Sequence, residues 1–146
     1  MLKMIKPSEE KSQKSHQLIN QLFLEKVENP SKYIVAYTNY TKRGIFTQKM
    51  YNYVIGFSVE DKEIIVIPVN SDVTESDDVI LLKKENIRSA KYGLQGDVKI
   101  KSDILEKDLR FIVPPFTTKI SEAVYFLPII QEDIASQFKN FIKENF

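Results

Sequence analysis

The sequence predicts an α+β fold: an antiparallel, partly closed barrel or sandwich of about seven strands with a helix at each end. Three observations predict it. Near residue 20 apolar residues recur at every third or fourth position, as in a helix. From residue 32 to residue 113 they recur at every second position, as in strands, and the helical spacing returns after residue 129. A length of 146 residues fits one folded core. We divide it into an N-terminal helical extension (1–31) and a β domain with a C-terminal capping helix (32–146).

The first predicted element is a helix over residues 8–28. Ser8 is a suitable N-cap, and Glu9 and Glu10 follow where the helix dipole favours negative charge. Asn29-Pro30 ends the helix, because the residue before proline avoids helical dihedrals. One face carries the apolar residues Leu18, Ile19, Leu22, Phe23 and Val27. The single histidine, His16, falls on the polar part and is predicted to be a surface residue.

Seven short strands follow, separated by turn-forming residues. The segment EIIVIPV is apolar on both faces, which predicts a central strand covered on both sides. The segment TKRG after the first strand is predicted to be a turn. The strands are KYIVAYTN, MYNYVIGFSV, EIIVIPV, DVILL, NIRSAKY, DVKIK and DLRFIV. Residues 116–128 are ambiguous between a further strand and an extended crossing.

A second helix is predicted over residues 129–145. Its apolar stripe is too hydrophobic to remain in water, so it must cover the sheets or join a partner. The stripe consists of Ile130, Ile134, Phe138, Phe141 and Ile142.

Composition limits the chemistry. The chain has no cysteine and one histidine, which excludes disulfides, thiolate nucleophiles, cysteine-bound zinc and multi-histidine metal sites. Its 21 basic and 20 acidic residues give no strong overall attraction to nucleic acid. No arrangement of nucleophile, base and acid stands out, so we expect no enzyme, no cofactor and no metal. The N-terminal residues lack the apolar core of a secretory signal, and we expect a cytoplasmic protein.

Two basic stretches are candidate binding sites. In ILLKKENIRSAKYG (80–93), Arg88 and Lys91 fall on opposite faces of a regular strand, which favours an ordinary solvated sheet face. The stretch from Tyr33 to Tyr53 holds five of the seven tyrosines. Aromatic rings beside cations suit a peptide or stacked bases, whereas tyrosine is also simply a good strand former. The candidate binding residues are Lys42, Arg43, Lys49 and Tyr51.

The order of these elements resembles the pleckstrin-homology-like (PH-like) fold, and in particular the small bacterial PH-like domains. IGFSVEDKEIIVIPV matches a central hairpin, ILLKKENIRSAKY the crossing to a second sheet, DLRFIV the last strand and QEDIASQFKNFIKENF the capping helix. The resemblance implies binding or scaffolding. Members that bind phosphoinositides carry basic residues at the end of the first strand and along the second, where this chain has Lys42, Arg43 and Lys49.

We therefore expect a non-catalytic interaction module that binds a protein or peptide at an open sheet edge or through the first helix. Two alternatives stay open: a carrier that holds a small apolar ligand or lipid inside the barrel, and a module that binds an anionic phosphoinositide surface. Formation of a homo-oligomer also stays open.

Overall fold

A computed structural model describes residues 6–117 and 127–146. It confirms the α+β class, with antiparallel sheets and a helix towards each end. Short 3-10 turns at Pro30–Lys32 and Lys84–Asn86 flank the strands. The elements are α1 (Glu9–Lys26), β1 (Ile34–Arg43), β2 (Gln48–Ser58), β3 (Glu63–Val69), β4 (Ile80–Leu82), β5 (Ile87–Tyr92), β6 (Val98–Ser102), β7 (Leu109–Phe111) and α2 (Glu132–Asn145).

The strands form two sheets, ordered β1-β2-β3-β4 and β5-β6-β7. All neighbouring strands are antiparallel, and neither sheet closes on itself. A bridge between Asn39 and Ile112 links β1 to the residue that follows β7. The Asn39 N–H donates to the Ile112 carbonyl at 3.1 Å, and the Ile112 N–H donates back at 2.8 Å.

The turn predicted at TKRG is wrong for its first three residues. Strand β1 continues through Arg43, and its pairing with β2 reaches the Arg43–Gln48 pair. No glycine or proline interrupts β1 before Gly44, so nothing stops the ladder earlier. The actual turn is residues 44–47, where the Gly44 N–H donates to the Thr47 carbonyl at 2.7 Å.

An inner core lies between the two sheets and α2. Phe138 of α2 packs with ring centroids 5.2 Å from Phe57, 5.8 Å from Phe111 and 6.2 Å from Phe141. This confirms that the apolar stripe of the second helix covers the strands. The buried members of the inner core are Ala36, Ile55, Phe57, Ile64, Val66, Leu82, Ile87, Ala90, Val98, Ile100, Leu109, Phe111, Phe138, Phe141 and Ile142.

An outer core lies between α1 and the opposite face of the four-stranded sheet. Ile19 and Phe23 of α1 are buried there against Tyr37 and Val54. Strand β3 supplies alternate residues to both cores, which confirms the prediction of a strand covered on two sides. The buried members of the outer core are Ile19, Phe23, Val27, Tyr37, Val54, Ile65, Ile67, Val73, Leu127 and Ile129.

Helix α1 also hydrogen-bonds to the segment that leads into α2. The Ile130 N–H donates to Ser12 Oγ at 2.8 Å, and His16 Nε2 lies 2.7 Å from the Ile130 carbonyl. The prediction that His16 is an ordinary surface residue is therefore wrong, because its ring is half-buried against this backbone. Helix α2 begins at Glu132 and not at residue 129, since Ile130 pairs with Phe116 in extended conformation. Most of the ambiguous segment, residues 118–126, lies outside the described residues.

Strand β5 is less regular than its sequence suggests. A register shift between Ile87 and Ser89 interrupts its pairing with β6. Ile87 and Ala90 consequently both enter the inner core, and Arg88 and Lys91 are both exposed. The expected placement of Arg88 and Lys91 on opposite faces does not occur, because the irregularity breaks the two-residue alternation.

Candidate binding site at the β1–β2 hairpin

The end of the β1–β2 hairpin continues the inner sheet face beyond the inner core. Tyr40 lies directly opposite Tyr51, and Lys42 lies directly opposite Lys49. These four residues share a face with Ala36 and Ile55, because side chains alternate along each strand. Directly opposed side chains in an antiparallel pair have Cβ atoms about 4.5–5.5 Å apart, and like charges there are destabilising. The hairpin thus keeps two cations together at some expense of stability.

A cleft of about 470 Å³, the inner cleft, opens on this face. Strands β1 and β2 contribute Tyr40, Lys42, Tyr51 and Tyr53 to its walls. The opposite wall is the start of β7 and the residues before it, 107–110. Of the candidate residues, Lys42 and Tyr51 line this cleft, and Lys49 adjoins it as the partner of Lys42.

Arg43 lies on the other side of the hairpin. It lines a second cleft of about 540 Å³, the outer cleft, together with Asn39, Thr41, Gln95 and Asp97. Arg43 and Lys42 are neighbours in a strand and so face opposite sides. The four candidate residues therefore surround one hairpin but do not converge on one cavity.

Two further cations at the inner cleft were missed in the sequence. Lys107 and Arg110 follow the candidate residues by more than fifty positions, and only the folding of β7 alongside β1 brings them near. A side-chain hydrogen bond with Tyr40 raises the pKa of the Arg110 guanidinium. Asp108 in the same wall lies 3.5 Å from Lys99, so part of its charge is already compensated.

The hairpin cations have no acidic partner among residues 6–117 and 127–146. Within the described residues, no salt bridge involves Lys42, Arg43 or Lys49. Lys32 shows the contrast, because its ammonium lies 2.7 Å from Asp61 and 3.4 Å from Glu63. The charge at the hairpin is consequently available to an external anion.

The tip of the hairpin is apolar and exposed. Ile45 is 92% exposed and Phe46 is 96% exposed. The two side chains are adjacent in the turn, and the flanking strands carry the cations. The hairpin thus places two exposed apolar side chains next to its cations.

Gln131 fixes β1 at Tyr37, in the half of the strand that precedes the hairpin. The Tyr37 N–H donates to Gln131 Oε1 at 3.0 Å, and Gln131 Nε2 donates to the carbonyls of Tyr37 and Pro114 at 2.8 and 2.9 Å. Gln131 is 3% exposed, so it satisfies these backbone groups in place of a neighbouring strand. The first part of β1 is thereby fixed on its outer edge.

Other kinds of site and known relatives give no alternative assignment. Across residues 6–117 and 127–146, no three His, Cys, Asp or Glu side chains come together in a metal-holding arrangement. Neither helix in those ranges has the length and apolar character needed to cross a membrane. Comparisons with protein-family models, curated proteins and solved structures each gave no match to this chain.

Proposed function

We propose that this chain is a non-catalytic interaction module of the cytoplasm whose β1–β2 hairpin binds an acidic segment of a protein or peptide partner. The observation that carries the proposal is the cross-strand couple of Lys42 and Lys49 beside a tyrosine-lined cleft. Tyrosine supplies apolar contact area with a polar end, and the lysines supply charge that the described fold does not use.

We further propose that the two sheets and α2 form a partly closed barrel of the PH-like kind. The order of seven antiparallel strands, the Asn39–Ile112 bridge between β1 and the end of β7, and the cover by α2 support this architecture. A barrel interior filled by Phe57, Phe111 and Phe138 favours binding on the surface over the carriage of a ligand inside, since each of these rings is fully buried.

The proposal is tested with a fluorescein-labelled ten-residue peptide in which glutamate alternates with threonine. Fluorescence anisotropy measures its affinity for the wild-type protein, with a glutamine–threonine peptide as the uncharged control. The Lys42→Glu/Lys49→Glu variant should bind the acidic peptide at least about tenfold more weakly, because attraction becomes repulsion. Binding should also weaken as salt is added.

Lys91→Glu is the matched control, because Lys91 is also an exposed strand lysine but lies on β5. It should leave the affinity within about twofold, since Lys91 lines neither cleft and a single exposed charge off the site contributes little. Equal losses in Lys91→Glu and in the hairpin variant would show that general charge, and not the hairpin, attracts the peptide. Failure of the wild type to prefer the acidic peptide would overturn the proposal.

The exposed tip supports a second candidate, an anionic membrane surface. Ile45 and Phe46 could enter the headgroup region while Lys42, Arg43 and Lys49 contact anionic lipid. Co-sedimentation with phosphatidylserine-containing vesicles tests it, with pure phosphatidylcholine vesicles as the control. Membrane binding requires a loss in both Ile45→Ser/Phe46→Ser and Lys42→Glu/Lys49→Glu. Absence of binding to the anionic vesicles would reject this candidate.

A further inference from the structure

The outer edge of β1, the edge away from β2, is paired in its first part. Alternate residues of a strand direct their N–H and C=O groups to the same edge. The N–H and C=O groups of Asn39 bond to the backbone of Ile112. Those of Tyr37, two residues earlier, bond to the side chain of Gln131. Thr41 and Arg43 follow in the same phase, so their backbone groups also point to this edge.

The pairing of this edge stops at Asn39. Strand β7 lies alongside but forms its ladder with β6, and in the described ranges no strand pairs with Thr41 or Arg43 on this side. The inner and outer clefts flank this stretch, and Tyr40 lines both of them. The edge at Thr41 and Arg43 is therefore a short unpaired strand edge that runs between two clefts.

We propose that an acidic segment of the partner protein binds in extended conformation and adds as a strand to β1 at Thr41 and Arg43. The inference rests on the proposed function and deepens it, because it specifies how the partner is held. Main-chain hydrogen bonds to an exposed strand edge supply affinity, and alternate side chains supply specificity.

Charge explains why the added strand should be acidic. The inner cleft presents Lys42, Lys107 and Arg110, and the outer cleft presents Arg43. An added strand projects side chains alternately to both faces, so each face of the segment meets cations. The opposing carboxylates are Asp97 in the outer cleft and Asp108, which is already near Lys99, in the inner one. On the inner face three cations outnumber the one carboxylate, which favours glutamate or aspartate in the partner, whereas Arg43 and Asp97 balance each other on the outer face.

Amide hydrogen exchange measured by NMR tests the inference directly. The probe is the same glutamate–threonine peptide, added to the isotope-labelled full-length protein at saturation. Strand addition should slow exchange of the Thr41 and Arg43 amides by at least about tenfold, because they become hydrogen-bonded. The Ser71 amide, in the β3–β4 loop, should not change and serves as the reference.

Binding by anisotropy without protection of Thr41 and Arg43 would overturn strand addition and leave the proposed function intact. Failure of the acidic peptide to bind at all would overturn both. Protection without peptide that grows with protein concentration would show that a second copy of this chain occupies the edge, which also contradicts the inference.

A pair of variants gives an independent measurement. Thr41→Pro removes the edge-facing N–H but no β1–β2 hydrogen bond, and proline is tolerated in this way on edge strands. It should weaken peptide binding about tenfold. Thr41→Val retains the N–H and should bind the peptide more tightly than Thr41→Pro. Equal affinities for the two variants would contradict a main-chain contact at Thr41.

Discussion

The ring of Phe23 on α1 lies directly over Gly56 on β2. A Cβ atom added at Gly56 would come within 2.2 Å of Phe23 Cζ and 2.6 Å of Phe23 Cε2. The glycine is needed for this close approach, since both distances are far below van der Waals contact. Phe23 is 1% exposed and stacks edge-on with Tyr33 at 5.6 Å between centroids, so it has little freedom to move aside.

Gly56→Ala should therefore lower the free energy of unfolding by about 1–3 kcal/mol, because the added methyl group overpacks the outer core. Urea denaturation measures the change. Gly44→Ala is the matched control, since its Cβ would meet the movable Thr47 hydroxyl and should cost much less. In the Phe23→Leu background the Gly56→Ala change should also cost less than in wild type. Additive costs would mean that the two residues are not in contact.

Phe138→Ala tests the capping of the strands by α2. Phe138 is fully buried against rings from both sheets, so its truncation should cost about 3–5 kcal/mol. The exposed neighbour Lys139 supplies the control, because Lys139→Ala should change stability by less than about 0.5 kcal/mol. Chemical denaturation gives both values. A cost under about 1 kcal/mol for Phe138→Ala would place α2 outside the core.

Lys49→Glu should separate stability from binding. The change replaces a like-charge pair with an ion pair to Lys42, which should raise the free energy of unfolding by about 0.2–1 kcal/mol. The same variant should bind the acidic peptide more weakly than wild type. Thermal melts at low and high salt measure the stability gain, which salt should reduce. A loss of stability would show that the two side chains do not face each other.

Buried tyrosines should make the fold sensitive to alkali. Burial raises the pKa of Tyr37 to about 12 and that of Tyr92 to about 12, whereas an unfolded tyrosine titrates near 10. Their contribution to stability is therefore complete below about pH 10 and is lost as the pH rises towards about 12. Tyr37, which is fully buried, adds a slope of up to about 1.4 kcal/mol per pH unit in that window, and the half-buried Tyr92 adds less because solvent screens it.

Urea denaturation between pH 9 and pH 11.5 measures this dependence, and tyrosinate absorbance follows the titration itself. Lysine deprotonation also falls in this range, so Tyr92→Phe is compared with wild type. The variant should show a shallower decline. Identical declines, with every tyrosine ionising near pH 10, would contradict the burial of these hydroxyls.

Periodicity predicted most of the fold because it reports directly which face of an element is buried. It identified α1, the doubly covered β3 and the apolar stripe of α2. It failed where a contact distant in sequence decides local structure. His16 is half-buried because Ile130 passes beside it, and Arg88 changes face because β5 has an irregular register.

The candidate site could be predicted only in part for the same reason. Lys42, Lys49 and Tyr51 are close in sequence, and their alternation in one hairpin is visible without a structure. Lys107 and Arg110 come from β7 and its preceding turn, so their place at the cleft depends on how the two sheets meet. The free edge at Thr41 likewise follows from where the pairing of β1 ends.

Chemical-shift mapping with the glutamate–threonine peptide is the most direct test of the hairpin as the binding site. Titration into isotope-labelled protein should move the amide signals of residues 40–43, 48–53 and 107–110. The signals of α1 and of β4 should stay in place. Shifts confined to α1 or to the edge of β4, with the hairpin unchanged, would contradict the assignment of the site.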